Sequence, residues 1–227
     1  MKKTYIISLG GSLVVPDCGI NWKFLKKFRQ LIMDRIRKGD SFFLIVGGGM
    51  TCRNYISAAD RILEVSDEDK DWLGIHATRL NAHLLRTIFR DVAHPEIIKN
   101  PTFRMATDRK MILAGGWKPG WSTDYIATLL AQEYEVKTVI NLSNIDYAYD
   151  KDPKKNKDAR PIKEIGWQDF RKIVGNRWNP GLNAPFDPIA SKKAQELSLE
   201  VLIMNGSKLD NLKKYFETGK FRGTLIK

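Results

Sequence analysis

The sequence predicts an α/β fold in which a mostly parallel sheet is covered by helices on both faces. Two observations carry this. Short apolar runs alternate with longer amphipathic ones along the chain, the order of repeated strand–helix units. Three apolar runs also end in glycine-rich turns, Gly10-Gly11-Ser12, Gly47-Gly48-Gly49 and Gly115-Gly116, as strands leaving one sheet edge would.

Thr4–Leu9 reads as a buried strand, and Trp22–Arg37 as a helix with Phe24, Leu25, Phe28, Leu31, Ile32 and Ile36 on one stripe. Residues 42–46 form a second buried strand, followed by a helix around 53–63. Ser66 is placed as an N-cap, with Asp67, Glu68 and Asp69 in the first turn, where negative charge suits the helix dipole. The long helix it opens carries Leu73, Ala77, Leu80, Leu84 and Ile88 at steps of three and four, the expected core stripe. Met111–Ala114 is the third strand, 123–131 a helix, 138–142 the fourth strand, and 143 to about 161 a polar loop. Asp187 before Pro188 reads as an N-cap with proline at the first helical position, for a helix running to about Leu197. Residues 200–204 are a last core strand, Ser207 is expected to cap a short helix, and 221–226 to close the sheet. There is no internal repeat or Gly/Ser linker, and the irregular stretches 91–109 and 175–185 are too short to be domains. One domain over 1–227 is expected.

With 38 Lys+Arg against 26 Asp+Glu the formal net charge is +12, while 43% hydrophobic and 28% charged residues exclude disordered and collagen-like chains. A chain of this length buries roughly 70–75% of its unfolded surface and needs no disulfide or structural metal. Cys18 and Cys52 form no metal or redox spacing, which points to a reducing compartment. The apolar run after Lys2 and Lys3 stops at Ser8 with no cleavage site, and nothing approaches the ~18 apolar residues of a membrane span. A soluble, cytoplasmic protein with anionic partners is expected.

Ligands of open α/β sheets bind beyond the carboxyl ends of the strands, where glycine lets backbone N–H groups approach phosphate. The alternative is that such glycines only make turns; three at one edge favour phosphate. A Walker lysine and a GxGxxG are both missing. Ser122-Thr123-Asp124 follows Pro119-Gly120 and opens a helix, suiting either a phosphate or an ordinary cap. Asp71, Gly74, Ile75 and Thr78 share a helix face beside the core stripe, and a mid-helix glycine suggests close access or helix packing. The loop holding Asp146, Tyr147, Tyr149, Asp150 and Asp152 offers carboxylates for water-mediated magnesium and tyrosines for a base. Lys154, Lys155 and Lys157 read as solvated. His76, His83 and His94 lack metal spacing, and no nucleophilic triad stands out.

In order from residue 7 to 190 run ISLGGS, VGGG with Arg53-Asn54-Tyr55 downstream, DWLGIHATRLNA, GGWKPGWSTD, NLSNIDYAYDKDP and PFDPIA. This ordered set resembles the uridylate (UMP) kinases of the amino acid kinase superfamily, in particular the archaeal-type branch, and Gly223-Thr224-Leu225-Ile226 extends the likeness to the end. The resemblance implies a three-layer αβα sandwich around a sheet of about eight strands. It also implies phosphoryl transfer from ATP to UMP with Mg2+, and a homo-oligomer, most often a hexamer. Carried over by motif, Gly10, Gly11 and Ser12 would cradle ATP phosphates. Gly48 and Gly49 would lie between donor and acceptor, and Arg53 would reach the ATP side. Asp71 would hold the UMP ribose, and Trp117, Lys118, Pro119, Gly120, Trp121, Ser122 and Thr123 would line the UMP phosphate site. Ser143, Tyr149 and Asp152 would form the adenine-nucleotide pocket. Asp187 would organise the phosphate-binding groups, and Asp146 joins it and Arg53 as a catalytic candidate. The part up to about residue 110 would be mainly acceptor-binding and the remainder mainly ATP-binding.

Many relatives carry a lysine two residues before the first glycine, where this chain has Ser8. Lys192 and Lys118 are candidate substitutes, each read more simply as a solvated lysine. Trp117 and Trp121 replace smaller or more polar residues, and Trp178 is a further addition. The rival readings are an isopentenyl phosphate or carbamate kinase-like phosphotransferase, a non-catalytic nucleotide- or anion-binding protein of the same fold, and a nucleic-acid-binding module. The last lacks any interleaved basic–aromatic motif.

Overall fold

A computed structural model describes residues 2–153, 155–177 and 184–227; Lys154 and Trp178, named above, lie outside them. In chain order the elements are β1 (Thr4–Leu9), α1 (Gly11–Val14), α2 (Trp22–Arg37), β2 (Ser41–Val46), α3 (Gly49–Asp60), α4 (Asp67–Ile88), β3 (Met111–Ala114), α5 (Thr123–Glu133), β4 (Thr138–Ser143), β5 (Ala148–Tyr149), β6 (Pro161–Ile162), β7 (Glu164–Ile165), α6 (Trp167–Val174), α7 (Pro188–Glu196), β8 (Glu200–Asn205), α8 (Leu209–Thr218) and β9 (Thr224–Ile226).

Among the described residues the main sheet has seven strands rather than about eight, ordered β3-β2-β1-β4-β8-β9-β7, while β5 and β6 form a separate antiparallel pair. All neighbours in the main sheet run parallel except β8 and β9.

Alternation along each strand feeds two cores. Tyr5, Ile7 and Leu9 of β1 face the layer of α2 and α8 with Phe42, Leu44 and Val46 of β2. Ile6, Phe43 and Ile45 face the opposite layer with Ile126 of α5 and Ala190 of α7. Successive side chains of a strand point to opposite faces, so a strand covered on both faces must be apolar throughout. Phe28 is fully buried on α2 and packs against Phe24 and Phe89; Phe28→Ala would cost about 3–5 kcal/mol.

The α2 stripe is as expected, with Phe24, Leu25, Phe28, Ile32 and Ile36 buried. The α4 stripe is only partly so: Ala77 is buried and Leu84 and Ile88 pack against the core, but Leu80 is 62% exposed, and the fully buried face is Ile75, Ala77, Thr78, Asn81, Ala82 and Leu85. Leucine spacing misleads there because α4 turns its small and polar residues toward the glycine turns. Helix α3 also begins four residues earlier than expected, straight out of the glycine turn, and none of its residues is buried. Ser66 and Asp187 cap as expected, accepting from Asp69 N and Ala190 N. Ser207 does not cap α8: its hydroxyl donates to Asn205 Oδ1, and Lys208 takes the N-cap position with no side-chain bond.

Candidate active site

The carboxyl ends of β1 and β2 meet backbone against backbone. Gly10 N donates to Leu142 O at 2.8 Å, and Gly47 N donates to Leu9 O at 2.9 Å. A Cβ on Gly11 would fall within 2.7 Å of Gly49 Cα, and one on Gly47 at 2.5 Å from Gly11 N. Gly49 also has φ +61, a conformation that costs glycine nothing. These glycines let two turns interlock, so that α1, carrying Ser12, and α3 start side by side. The first N–H groups of a helix have no intrahelical acceptor, and the two starts together present such donors at one spot.

The third turn is packed for a different reason. A Cβ on Gly115 would lie 2.9–3.1 Å from Arg79 Cγ, Cα and N, and one on Gly116 3.0 Å from Ile75 and Thr78. What Gly115 and Gly116 admit is the α4 helix.

A cavity of about 160 Å3 opens between these parts, lined among others by Gly48, Cys52, Asp71, Gly74, Thr78 and Trp121, with Ser122 and Thr123 closing it. The helix face Asp71, Gly74, Ile75 and Thr78 lines it, as the mid-helix glycine suggested. Asp71 Oδ2 accepts from Gly120 N at 2.6 Å, tying α4 to the loop that carries Lys118 and Pro119. Ser122 Oγ caps α5 by accepting from Tyr125 N. Trp121 stacks on Tyr125 with centroids 4.2 Å apart, and Lys118 Nζ sits 4.3 Å from the Trp117 ring centre. A larger groove of about 860 Å3 runs along α2 and α8, but its lining carries both signs of charge and none of the glycine turns.

Beside β1 lies a group that sequence reasoning passed over. Asp124 accepts from Ser8 Oγ at 2.8 Å and Asn141 Nδ2 at 3.2 Å, while its Oδ2 accepts from Asp187 N at 3.2 Å. Burial pushes its carboxyl up to about 6, with the Ser8 bond acting the other way. Asp187 is pushed up to about 7, by burial first; the Ala190 N–H opposes that and the Asp124 charge adds to it. Asp187 Oδ1 accepts from Ala190 N at 2.6 Å, while Oδ2 is buried without a hydrogen-bond partner. The signal for Asp124 was its place in Ser122-Thr123-Asp124; its burial was not readable.

The remaining candidates are more open. Arg53 is half-exposed, with Nη2 3.7 Å from Asp17 Oδ1 and Nε on Met50 Sδ at 3.1 Å. Asp146 is clasped by Lys208 Nζ at 2.7 and 2.8 Å, and that bond holds its carboxyl below the usual range. Ser143 Oγ accepts from Ile145 N at 3.3 Å, Tyr149 lies in β5, and Asp152 O receives Asn156 N and Nδ2. Lys192 is exposed. The structure thus gathers Gly48, Asp71, Trp121, Ser122 and Thr123 in one cavity and Gly10, Gly11, Ser12 and Gly49 in one interlocked turn. It leaves Arg53, Asp146 and Asp152 at the periphery. No helix among the described residues is long and apolar enough to cross a membrane.

A mostly parallel sheet with interlocked glycine turns beside a small cavity is a site of the class that takes phosphate-bearing ligands. The sequence pattern of the amino acid kinase family matches residues 3–205, and the chain belongs to that family. Within it, the chain is 34% identical over 226 residues to the uridylate kinase of Methanospirillum hungatei, covering 98% of this chain and 94% of the relative. It is 32% identical to that of Thermococcus sibiricus, over 97% and 98% of the two chains. The crystal structure of uridylate kinase from Archaeoglobus fulgidus superposes with a TM-score of 0.80 at 28% identity over the full length of both chains.

Proposed function

We propose that the protein is an ATP-dependent UMP kinase, moving the γ-phosphoryl group of ATP to UMP to give UDP and ADP. The observation that carries this is the Asp71 cavity, set directly against the interlocked turns at Gly48. It is supported by uridylate kinases that match over nearly the whole chain.

Phosphoryl transfer needs positioning and charge neutralisation more than a covalent nucleophile. The amides at Gly11 and Ser12 would hold the donor phosphates, with Gly10, whose own N–H is spent on Leu142 O, shaping the turn, Gly49 between donor and acceptor and Arg53 closing over the ATP side. Ser143, Tyr149 and Asp152 would line the nucleoside end of ATP. Asp71 would accept from a ribose hydroxyl with the oxygen not bonded to Gly120, and the loop from Trp117 to Thr123 would enclose the acceptor phosphate. Asp187, fixed at the start of α7, would orient the groups around the transferred phosphoryl, with Asp146 as a more distant carboxylate.

Magnesium would enter on the ATP phosphates and supply charge neutralisation there. Among the described residues no group of three or more His, Cys, Asp or Glu side chains is placed to hold an ion. Ser8 bonds Asp124 where many relatives carry a lysine, so this position would supply no cation to the transferred group.

The N-terminal part to about 110 would be mainly acceptor-binding and the rest mainly ATP-binding, with Gly116 and Trp121–Thr123 crossing over to close the acceptor cavity. A homo-oligomer, a hexamer by family habit, and a cytoplasmic location complete the proposal. The oligomer is supported by α3, which has no buried residue while Tyr55, Ile62 and Leu63 are more than half exposed. Purified protein with ATP and magnesium is to be offered UMP, CMP, isopentenyl phosphate and carbamate. ADP release with UMP above all others is expected, and no turnover with any nucleoside monophosphate would overturn the reading.

A further inference from the structure

Besides the Asp71 bond to Gly120 N and the Arg29 bond to Ile88 O, helix α4 makes long-range polar contacts with the turns of two strands. Asn81 is 3% exposed, and its Nδ2 donates to Gly47 O at 2.9 Å and Gly48 O at 3.0 Å. Both neighbours are carbonyls, so the amide can sit in only one orientation and both of its hydrogens are used. Two residues earlier, Arg79 Nε donates to Gly116 O and Nη2 to Trp117 O, each at 3.0 Å. Thr78 Oγ1 accepts from Gly116 N at 2.6 Å. The β2 turn and the β3 turn are therefore pinned to points about 3 Å apart along one rigid helix axis.

We propose that Asn81 and Arg79 are positioning residues for phosphoryl transfer: α4 acts as a gauge fixing the turn between donor and acceptor relative to the acceptor-phosphate loop. The inference rests on the kinase reading above and assigns the two residues separate jobs. Asn81 orients the Gly47–Gly48 peptides, whose carbonyls it holds away from the reacting phosphates, so it governs the transfer step. Arg79 holds the loop that ends at the acceptor site, so it governs acceptor binding. In-line transfer tolerates little misplacement; an ångström can cost 10²-fold in rate. Backbone–backbone bonds reach into the turns as far as Gly47 N and Gly115 N, and beyond them side chains of α4 hold Gly47 O, Gly48 O and both polar groups of Gly116.

The test is steady-state kinetics on full-length Asn81→Ala, Arg79→Ala and Arg79→Lys, varying UMP and Mg-ATP separately, with a thermal melt for each variant. Asn81→Ala is expected to lower kcat by about tenfold or more with both KM values within about threefold. Arg79→Ala is expected to raise KM for UMP about tenfold with KM for ATP within twofold, and Arg79→Lys to recover part of that. Melting shifts without these kinetic changes, or the same constants altered equally by both alanine variants, would overturn the proposal. Thr78→Val replaces an alanine variant that fails to fold: it removes the acceptor for Gly116 N and, within α4, the hydroxyl's bond to Ile75 O, and is expected to raise KM for UMP with KM for ATP unchanged. If the wild type phosphorylates no acceptor, the kinase reading falls, and the gauge is still tested by hydrogen exchange. Arg79→Ala should then speed exchange at Gly116 and leave Gly47 unchanged; equal exchange with wild type at Gly116 would overturn it.

Discussion

Asp187 and Asp146 both lie at the carboxyl edge of the sheet, and both stood out in the sequence as catalytic candidates. Their surroundings make them opposites. Asp187 is 5% exposed, caps α7, touches Asp124 and has its carboxyl raised to about 7. Asp146 lies in the loop after β4, is bound at both oxygens by Lys208 and has its carboxyl lowered. The difference teaches that residue type and sheet edge do not define a role. A carboxylate held out of water between helix and strand is preorganised and resists ionisation, whereas one paired near the surface is a solvated ion.

The largest test of that contrast is Asp187→Asn, which keeps the cap and removes the charge. A fall in kcat of about 10²–10³-fold with a folded protein is expected; a loss under threefold would reduce Asp187 to a cap. Asp71→Ala comes next, with KM for UMP rising by about tenfold or more, since the variant loses both a ribose partner and the Gly120 tether. Arg53→Ala should weaken turnover without altering the melting temperature, because the guanidinium is half-exposed and bonded mainly to its own helix turn. An unchanged rate would remove Arg53 from the site.

A fourth test uses pH. The folded carboxyls of Asp124 and Asp187, at about 6 and about 7, lie above the ordinary 3.8. The folded state therefore binds more protons than the unfolded one, and these groups lower stability progressively as pH rises from about 4 through 7. Denaturation at pH 5 and pH 8 should show Asp187→Asn gaining on the wild type at the higher pH; a constant difference would contradict the raised carboxyl. Carbon-13 NMR of Asp124→Asn should show Asp187 titrating closer to its ordinary range, since the Asp124 charge is one of the things lifting it. The smallest effect is expected for Asp146→Asn, a change in kcat/KM of less than about fivefold, because an exposed pair with Lys208 is worth little. A loss comparable to that of Asp187→Asn would erase the contrast.

Much of this was legible in the chain. Continuous apolar runs announced strands covered on both faces, glycine turns announced the functional edge, and the sequence of motifs announced the family. The α4 face failed because a leucine spacing looks like a core stripe whichever side it faces; Leu80 is exposed, whereas Asn81, polar and beside it, is buried. Asp124 failed because nothing in Ser122-Thr123-Asp124 tells a first-turn surface acid from a buried one. Ser207 failed because a serine two residues before a helix has an equally good local partner in Asn205.

The net charge of +12 says least, since lysines and arginines are spread along the chain, many of them paired away from the cavity with Asp34, Asp158, Asp169 and Glu164. By itself the sequence determined the class of fold, the edge that carries the site and the family, because periodicity and glycine placement are local consequences of backbone geometry. Only the tertiary structure decided which glycines admit a helix and which admit another turn. It alone decided which aspartate is buried beside another, and that Asn81 and Arg79 of one helix hold two turns at once. Those facts depend on residues 30 to more than 100 positions apart meeting in space, as Ser8 does with Asp124, and packing at that range leaves no periodic trace in a single chain.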